Sequence, residues 1–225
     1  MGGMNTTTPP TDLSGWRRIL EARGLRVEPK GDPRPPGETT EEAAERKAIQ
    51  ANHRSIRWRT ALPPMYAQAW LGGLTDDQRS ASLGWYQRGG VNLVLAGSVG
   101  AGKTYAAYAL GAHAVGQGAW VEAWALVDLL DAMKPGKDPA AEQAARACDL
   151  LILDDLGTER ATEWAQERVL AILDDRVRGE RQTVVTTNTT GERLGEVWGT
   201  RLLDRLTYRQ TVIVFSGPSR RKAAW

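Results

Sequence analysis

The pattern of apolar and polar positions gives the 225-residue chain two textures. From Val91 onward, short apolar runs alternate with helical patterns. The runs predict strands at Val91–Ala96, Ala119–Trp124, Asp149–Leu153, Thr183–Thr187 and Thr211–Phe215. Most are continuously apolar, as strands covered on both faces are. The segments between them predict helices near Lys103–Val115, Leu126–Met133 and Thr162–Arg178. Val169, Leu170, Leu173 and Val177 form an apolar stripe on the last of these. Alternating strands and helices predict an α/β fold, with a parallel sheet between helical layers.

The first 90 residues read differently. Residues 1–11 are small and polar and are expected to be disordered. Asp12–Gly24 predicts a short helix with Leu13, Trp16, Ile19 and Leu20 on one face. Pro29–Gly37 carries four prolines and two glycines, which predicts a stiff, extended linker. Thr39 with Glu42 forms a capping box that opens a helix toward Arg57. Pro63-Pro64 interrupts the chain. A second capping box, Thr75 with Gln78, opens a helix that runs to Gln87. The chain thus divides into an arm and linker (1–37), a helical connector (38–90) and an α/β domain (91–225).

Composition excludes several classes. The longest apolar runs, such as Leu150–Leu153 and Val212–Phe215, fall far short of the roughly 20 residues of a membrane helix. The amino terminus lacks the basic and apolar regions of a secretory signal. A single cysteine, Cys148, excludes an internal disulfide and a Cys-rich zinc site, so a reducing cytoplasm is expected. Net charge is only +2, but it is unevenly spread. Arg46, Lys47, Arg54, Arg57 and Arg59 share an acid-free stretch. Arg201, Arg205, Arg209, Arg220, Arg221 and Lys222 stand near Asp204 alone. Each stretch is a solvated basic face or a contact to nucleic-acid phosphates.

The strongest chemical signal is Gly97-Ser98-Val99-Gly100-Ala101-Gly102-Lys103-Thr104, which matches G-x-x-x-x-G-K-[ST] between a strand and a helix. Glycines let backbone N–H groups approach phosphate oxygens with no Cβ in the way. The helix starting near Gly102 adds its positive dipole end. Lys103 places a charge on the β and γ phosphates, and the Thr104 hydroxyl is a Mg²⁺ ligand. Downstream, 51 residues after Lys103, an apolar strand ends in Asp154-Asp155. Asp154 is the candidate Mg²⁺ carboxylate, directly or through water. Asp155 is the candidate group that polarises the attacking water. A third apolar strand ends in Asn188, whose amide can donate to a γ-phosphate and accept from water. In Arg201-Leu202-Leu203-Asp204-Arg205-Leu206, either arginine has the forked donor set suited to a transferring phosphate in a neighbouring subunit; Arg205 is preferred, Arg201 second.

In this order, GSVGAGKT, LLILDDLGTER, VVTTN, RLLDRL and a terminal S-x-R resemble the AAA+ ATPases of the DnaC/DnaI/IstB group, which are helicase loaders and transposition helper ATPases. The resemblance runs from about Ala61 onward, with Leu62-Pro63-Pro64-Met65-Tyr66 similar to the segment before the core. Its most specific part is LDDLG followed by Glu159, Thr162, Glu163 and Trp164. It implies a three-layer P-loop NTPase fold with a five-stranded parallel sheet, and ATP and Mg²⁺ as cofactors. It also implies Asn188 as sensor 1, Arg205 as the arginine finger, and Arg221 rather than Arg220 as sensor 2. Asp155 stands where many AAA+ proteins carry Glu, which implies slow turnover. Only ten residues follow Phe215, so no separate lid domain is expected.

The function implied is an ATP-dependent loader that delivers a hexameric replicative helicase onto DNA. Single-stranded DNA and further copies of the chain are the other partners, and no membrane is involved. The Leu13–Leu20 face is then a helicase-docking element or a helix packed on its own core. The alternative is an IstB-like transposition helper ATPase that partners a transposase. A small-metabolite kinase is opposed by Asp154-Asp155, Asn188 and the arginine-rich end. A non-hydrolysing, ATP-switched DNA-binding module predicts ATP binding without phosphate release.

Overall fold

The computed structural model describes residues 39–157, 161–217 and 219. The expected Asp12–Gly24 helix and Pro29–Gly37 linker, and positions Glu159, Arg220 and Arg221, lie outside the described residues. The chain divides into two compact units, Met1–Lys47 and Ala48–Trp225, with the division inside the first helix.

That helix, α1, spans Thr40–Ala61. Its start is the predicted capping box: Thr39 N donates to Glu42 Oε2 at 2.7 Å, and Glu42 N donates to Thr39 Oγ1 at 3.2 Å. It continues past Arg57 to Ala61 and stops ahead of Pro63, whose ring disfavours a helical residue before it. Two single turns, Pro64–Tyr66 and Leu71–Gly73, lead to α2 (Asp76–Gln87). The second capping box also forms, with Thr75 N to Gln78 Oε1 and Gln78 N to Thr75 Oγ1 both 3.3 Å.

The α/β part follows in the order β1 (Asn92–Gly97), α3 (Lys103–Gly116), β2 (Val121–Ala125), α4 (Leu126–Ala132), α5 (Pro139–Ala147), β3 (Leu150–Asp154), α6 (Glu163–Arg178), β4 (Gln182–Thr187), α7 (Gly191–Trp198), α8 (Thr200–Thr207) and β5 (Gln210–Phe215). The strands form one five-stranded sheet in the order β2-β3-β4-β1-β5, and every neighbouring pair is parallel. All five predicted strands are present, displaced by one or two residues. Two features were not in the pattern reading. Helix α5 is announced only by Asp138-Pro139, where the Asp138 carboxylate accepts Ala140 N at 2.9 Å and proline takes the first turn. The segment before β5 splits into α7 and α8 at Gly199, whose φ is +86°.

Burial on both faces explains the continuous apolar run of β3, whereas in the edge strand β5 Val212 and Val214 are exposed. In β3, Leu150 and Ile152 pack into one core with Trp58, Ala107, Leu110 and Leu93. Leu151 and Leu153 pack into the opposite core with Leu129, Val169, Ile172 and Leu202. All four β3 leucine and isoleucine side chains are fully buried. At roughly 1.5–3 kcal/mol each, such residues supply much of the fold's driving force.

One buried charge ties the base of the sheet together. Arg176 of α6 is fully buried. Its guanidinium donates to Ala145 O at 2.8 Å, Cys148 O at 2.9 Å, Gln182 O at 2.5 Å and Thr183 Oγ1 at 2.9 Å. It therefore caps the last carbonyls of α5, which lack intrahelical partners, and links them to the start of β4. Burial pushes the adjacent Cys148 thiol up to about 11, so it remains protonated at neutral pH. Arg176→Ala leaves these acceptors unsatisfied. It is expected to lower unfolding free energy by at least about 3 kcal/mol, read from the urea midpoint. A loss under about 1 kcal/mol would show that the guanidinium is not a structural tie.

Candidate nucleotide-binding site

In a parallel sheet every strand delivers its carboxyl end to the same edge, and here the candidate residues collect there. The loop after β1 turns on glycines at positions that need them. Gly97 has φ +145°, and a Cβ there would lie 2.1 Å from Phe215 O. Gly100 has φ +80°, and a Cβ there would lie 2.2 Å from Ser219 Oγ. Gly102 is the left-handed residue from which α3 starts, at Lys103. The Lys103 ammonium is buried and donates to Gly97 O at 2.9 Å and Ser98 O at 2.8 Å. It bridges the two loop carbonyls.

A cavity of about 470 Å³ opens above this loop. It is lined by Val99, Gly100, Gly102, Lys103 and Thr104 of the loop and α3, by Asp155 after β3, and by Asn188 after β4. Three separately predicted segments thus share one wall. Gly97, Ser98 and Ala101 of the predicted loop do not line it: the Gly97 and Ser98 carbonyls accept from Lys103, and Ala101 is buried. The rest of the lining was not foreseen as a site: Met65, Tyr66, Gly73 and Tyr105. Tyr66 stacks on Tyr108 with ring centroids 4.9 Å apart and planes at 15°. Tyr105 Oη accepts from Trp70 N and donates to Trp70 O, each at 3.3 Å, which fixes the Leu71–Gly73 turn to α3. Met65 and Tyr66 stood in a quoted sequence segment; no pattern in the chain marks Gly73 or Tyr105 as cavity residues.

Asp154 is buried at the end of β3, beside the cavity rather than on its wall. Thr104 Oγ1 donates to its Oδ1 at 3.0 Å, and Thr186 Oγ1 donates to the same oxygen at 2.6 Å. Burial raises the Asp154 pKa; the hydroxyl of Thr186 is the largest influence in the other direction. A hydroxyl and a carboxylate at this separation suit Mg²⁺, which binds through one or two protein oxygens plus nucleotide phosphates. Among the described residues no group of three or more His, Cys, Asp or Glu could hold a metal without a nucleotide. Asp155 is exposed to the cavity and holds φ +61°, an uncommon conformation for a non-glycine residue.

The arginines sit elsewhere. Asn92 Nδ2, at the start of β1, donates to Arg205 O at 2.8 Å and Tyr208 O at 2.9 Å. The end of α8 therefore lies at the amino edge of the sheet. That is about 16 Å from Gly97 at the usual strand rise, too far for Arg205 to reach its own chain's cavity. The Arg205 guanidinium pairs with Asp174 and Asp204. Arg201 is exposed and pairs with no described residue.

The comparisons agree with this geometry. The IstB-like ATP binding protein family matches residues 76–224. A putative ATP-binding protein of insertion sequence IS1162 from Pseudomonas fluorescens is 35% identical over 121 residues, 51% of this chain and 52% of the relative. The chain spans about half the length of the curated relatives it matches. The crystal structure of DnaI superposes with a TM-score of 0.63 at 23% identity, covering 73% of this chain and 100% of that one. A putative primosome component from Streptococcus pyogenes serotype M3 gives a TM-score of 0.60 at 25% identity, covering 72% and 93%. The fold is that of the P-loop AAA+ ATPases, and among the described residues no helix is long and apolar enough to cross a membrane. With the family model matching two thirds of its length, residues 76–224, the chain belongs to the IstB-like ATP-binding protein family.

Proposed function

We propose that the chain is a Mg²⁺-dependent ATPase that acts on DNA as the helper of an insertion-sequence transposase. The observation that carries hydrolysis is the meeting of Lys103, Thr104, Asp155 and Asn188 on one cavity. On nucleotide binding, Lys103 Nζ exchanges the Gly97 and Ser98 carbonyls for β and γ phosphate oxygens. Thr104 Oγ1 and Asp154 would hold Mg²⁺, which would supply positive charge to offset the charge developing on the phosphates. Asp155 orients and polarises the attacking water. Asn188 donates its amide N–H to the γ-phosphate and accepts from the same water.

Arg205 serves the cavity of a neighbouring copy as an arginine finger, with Arg201 the second choice, and Arg221 or Arg220 closes on the nucleotide from the tail. The wide separation of α8 from its own phosphate loop supports action in trans. In this reading residues 91–225 form the ATPase, 38–90 connect it to an arm at 1–37, and the basic stretches contact single-stranded or duplex DNA. The assignment to transposition rests on the insertion-sequence relative. A helicase-loading role is the second reading, favoured by the likeness to the primosome component.

Lys103→Ala is expected to raise the dissociation constant for Mg–ATP at least about tenfold, read by equilibrium binding of a fluorescent analogue. Unchanged affinity counts against the phosphate-loop reading. Arg205→Ala is expected to slow phosphate release about a thousandfold while leaving ATP affinity within about threefold. Equal loss of both would contradict a finger supplied in trans. Co-purification discriminates the partners: with ATP present, the cognate transposase is expected on the tagged chain. Retention of a hexameric replicative helicase instead would move the assignment to loading, and retention of neither would overturn both.

A further inference from the structure

Strand β4 contributes more than Asn188. Its residue Thr186 is fully buried, and its hydroxyl is shared between the two acidic residues of the site. The proton goes to Asp154 Oδ1, at 2.6 Å, and a lone pair accepts the Asp155 amide N–H, at 2.9 Å. The regular β3–β4 register ends at Leu153 with Val185. Just beyond it the chain turns, and the Asp155 amide meets a side-chain oxygen instead of a ladder carbonyl. Leu156 N returns to the main chain at Thr186 O, 2.9 Å away, and Leu156 O accepts Thr187 Oγ1 at 2.7 Å. Two consecutive threonines therefore clamp the Asp154–Leu156 turn from both sides.

The clamp holds a strained residue. Asp155 sits at φ +61°, a conformation that costs a non-glycine residue free energy and persists only where its surroundings enforce it. The same residue lines the nucleotide cavity. Both hydroxyl contacts to Asp154 fall on Oδ1, from Thr104 in the first turn of α3 and Thr186 near the end of β4, so one carboxylate oxygen is held by a pair of donors.

We propose that Thr186 is the positioning residue of this site, its single hydroxyl aligning Asp154 toward the metal and Asp155 toward the cavity at once. The proposal rests on the Mg–ATP reading of the cavity. Valine matches threonine in shape and strand preference but can neither donate nor accept. Serine keeps the hydroxyl and loses only a methyl group.

The test compares full-length Thr186→Val and Thr186→Ser with the wild type. Affinity for a non-hydrolysable fluorescent ATP analogue is measured in EDTA, then across a Mg²⁺ titration, and steady-state turnover of ATP is measured beside it. Thr186→Val is expected to bind the analogue in EDTA within about twofold of the wild type. It should need about tenfold more Mg²⁺ for half of the metal-dependent change, and its kcat should fall at least about tenfold with KM nearly unchanged. Thr186→Ser should recover most of both. A wild-type Mg²⁺ response in Thr186→Val overturns the proposal. So does a serine variant as impaired as the valine one, and so does equal loss of metal-free binding. Absence of turnover in the wild type would count against hydrolysis alone, since the Mg²⁺ titration still decides the role of Thr186.

Discussion

The nucleotide site depends on one topological constraint: β4 lies between β1 and β3. The phosphate loop leaves the end of β1 and the acidic pair leaves the end of β3, so their separation is set by the strand placed between them. Because all five strands are parallel, that intervening strand must also end at the same edge. Asn188 is thereby carried to the cavity that Lys103 and Asp155 line. The Thr186 hydroxyl reaches Asp154 and Asp155 for the same reason. A hairpin connection could not produce this arrangement; each crossover needs a covering helix, and α3, α5 and α6 are long enough to return the chain to the opposite edge.

The two edges of the sheet divide the labour. At the carboxyl edge the backbone is strained and glycine-rich, as at Gly97, Gly100 and Asp155, and polar groups face a cavity. At the amino edge, polar groups are consumed internally. Arg176 and Asn92 spend their donors on carbonyls at the ends of α5 and α8. This rigid base fixes where α8 stands, and with it the position of Arg201 and Arg205. Arg205 is held by Asp174 and Asp204, so engaging a neighbour's phosphate requires it to exchange those carboxylates for another anion.

Much of this was legible in the chain. Continuous apolar runs marked the inner strands, such as β3, because both their faces are covered, and the two capping boxes formed as their spacing requires. Lys103 and Thr104 were singled out by the loop motif that opens α3, and Asp154, Asp155 and Asn188 by their place at or just after strand ends; the structure gathers four of them on one cavity with Asp154 beside it. Part of the cavity lining was not legible. Gly73 and Tyr105 become neighbours through a hydroxyl contact to Trp70 that no periodicity encodes. Thr186 was equally hidden, since a threonine in a β strand reads as an ordinary β-former and its hydroxyl acts only once β3 is beside it. Helix α5 carried a start signal in Asp138-Pro139 but too short an apolar stripe to be separated from a loop. The family rests on the model that matches residues 76–224, whereas the curated relatives share only about half their length with this chain.

The most direct test of the account is a crystal structure of the full chain with Mg²⁺ and a non-hydrolysable ATP analogue. The account predicts the β and γ phosphates on the Gly97–Lys103 loop, Mg²⁺ at Thr104 with Asp154 behind it, and the Asn188 amide within hydrogen-bonding distance of the γ-phosphate. A nucleotide seated away from this loop, or a γ-phosphate that Asn188 does not touch, would contradict it.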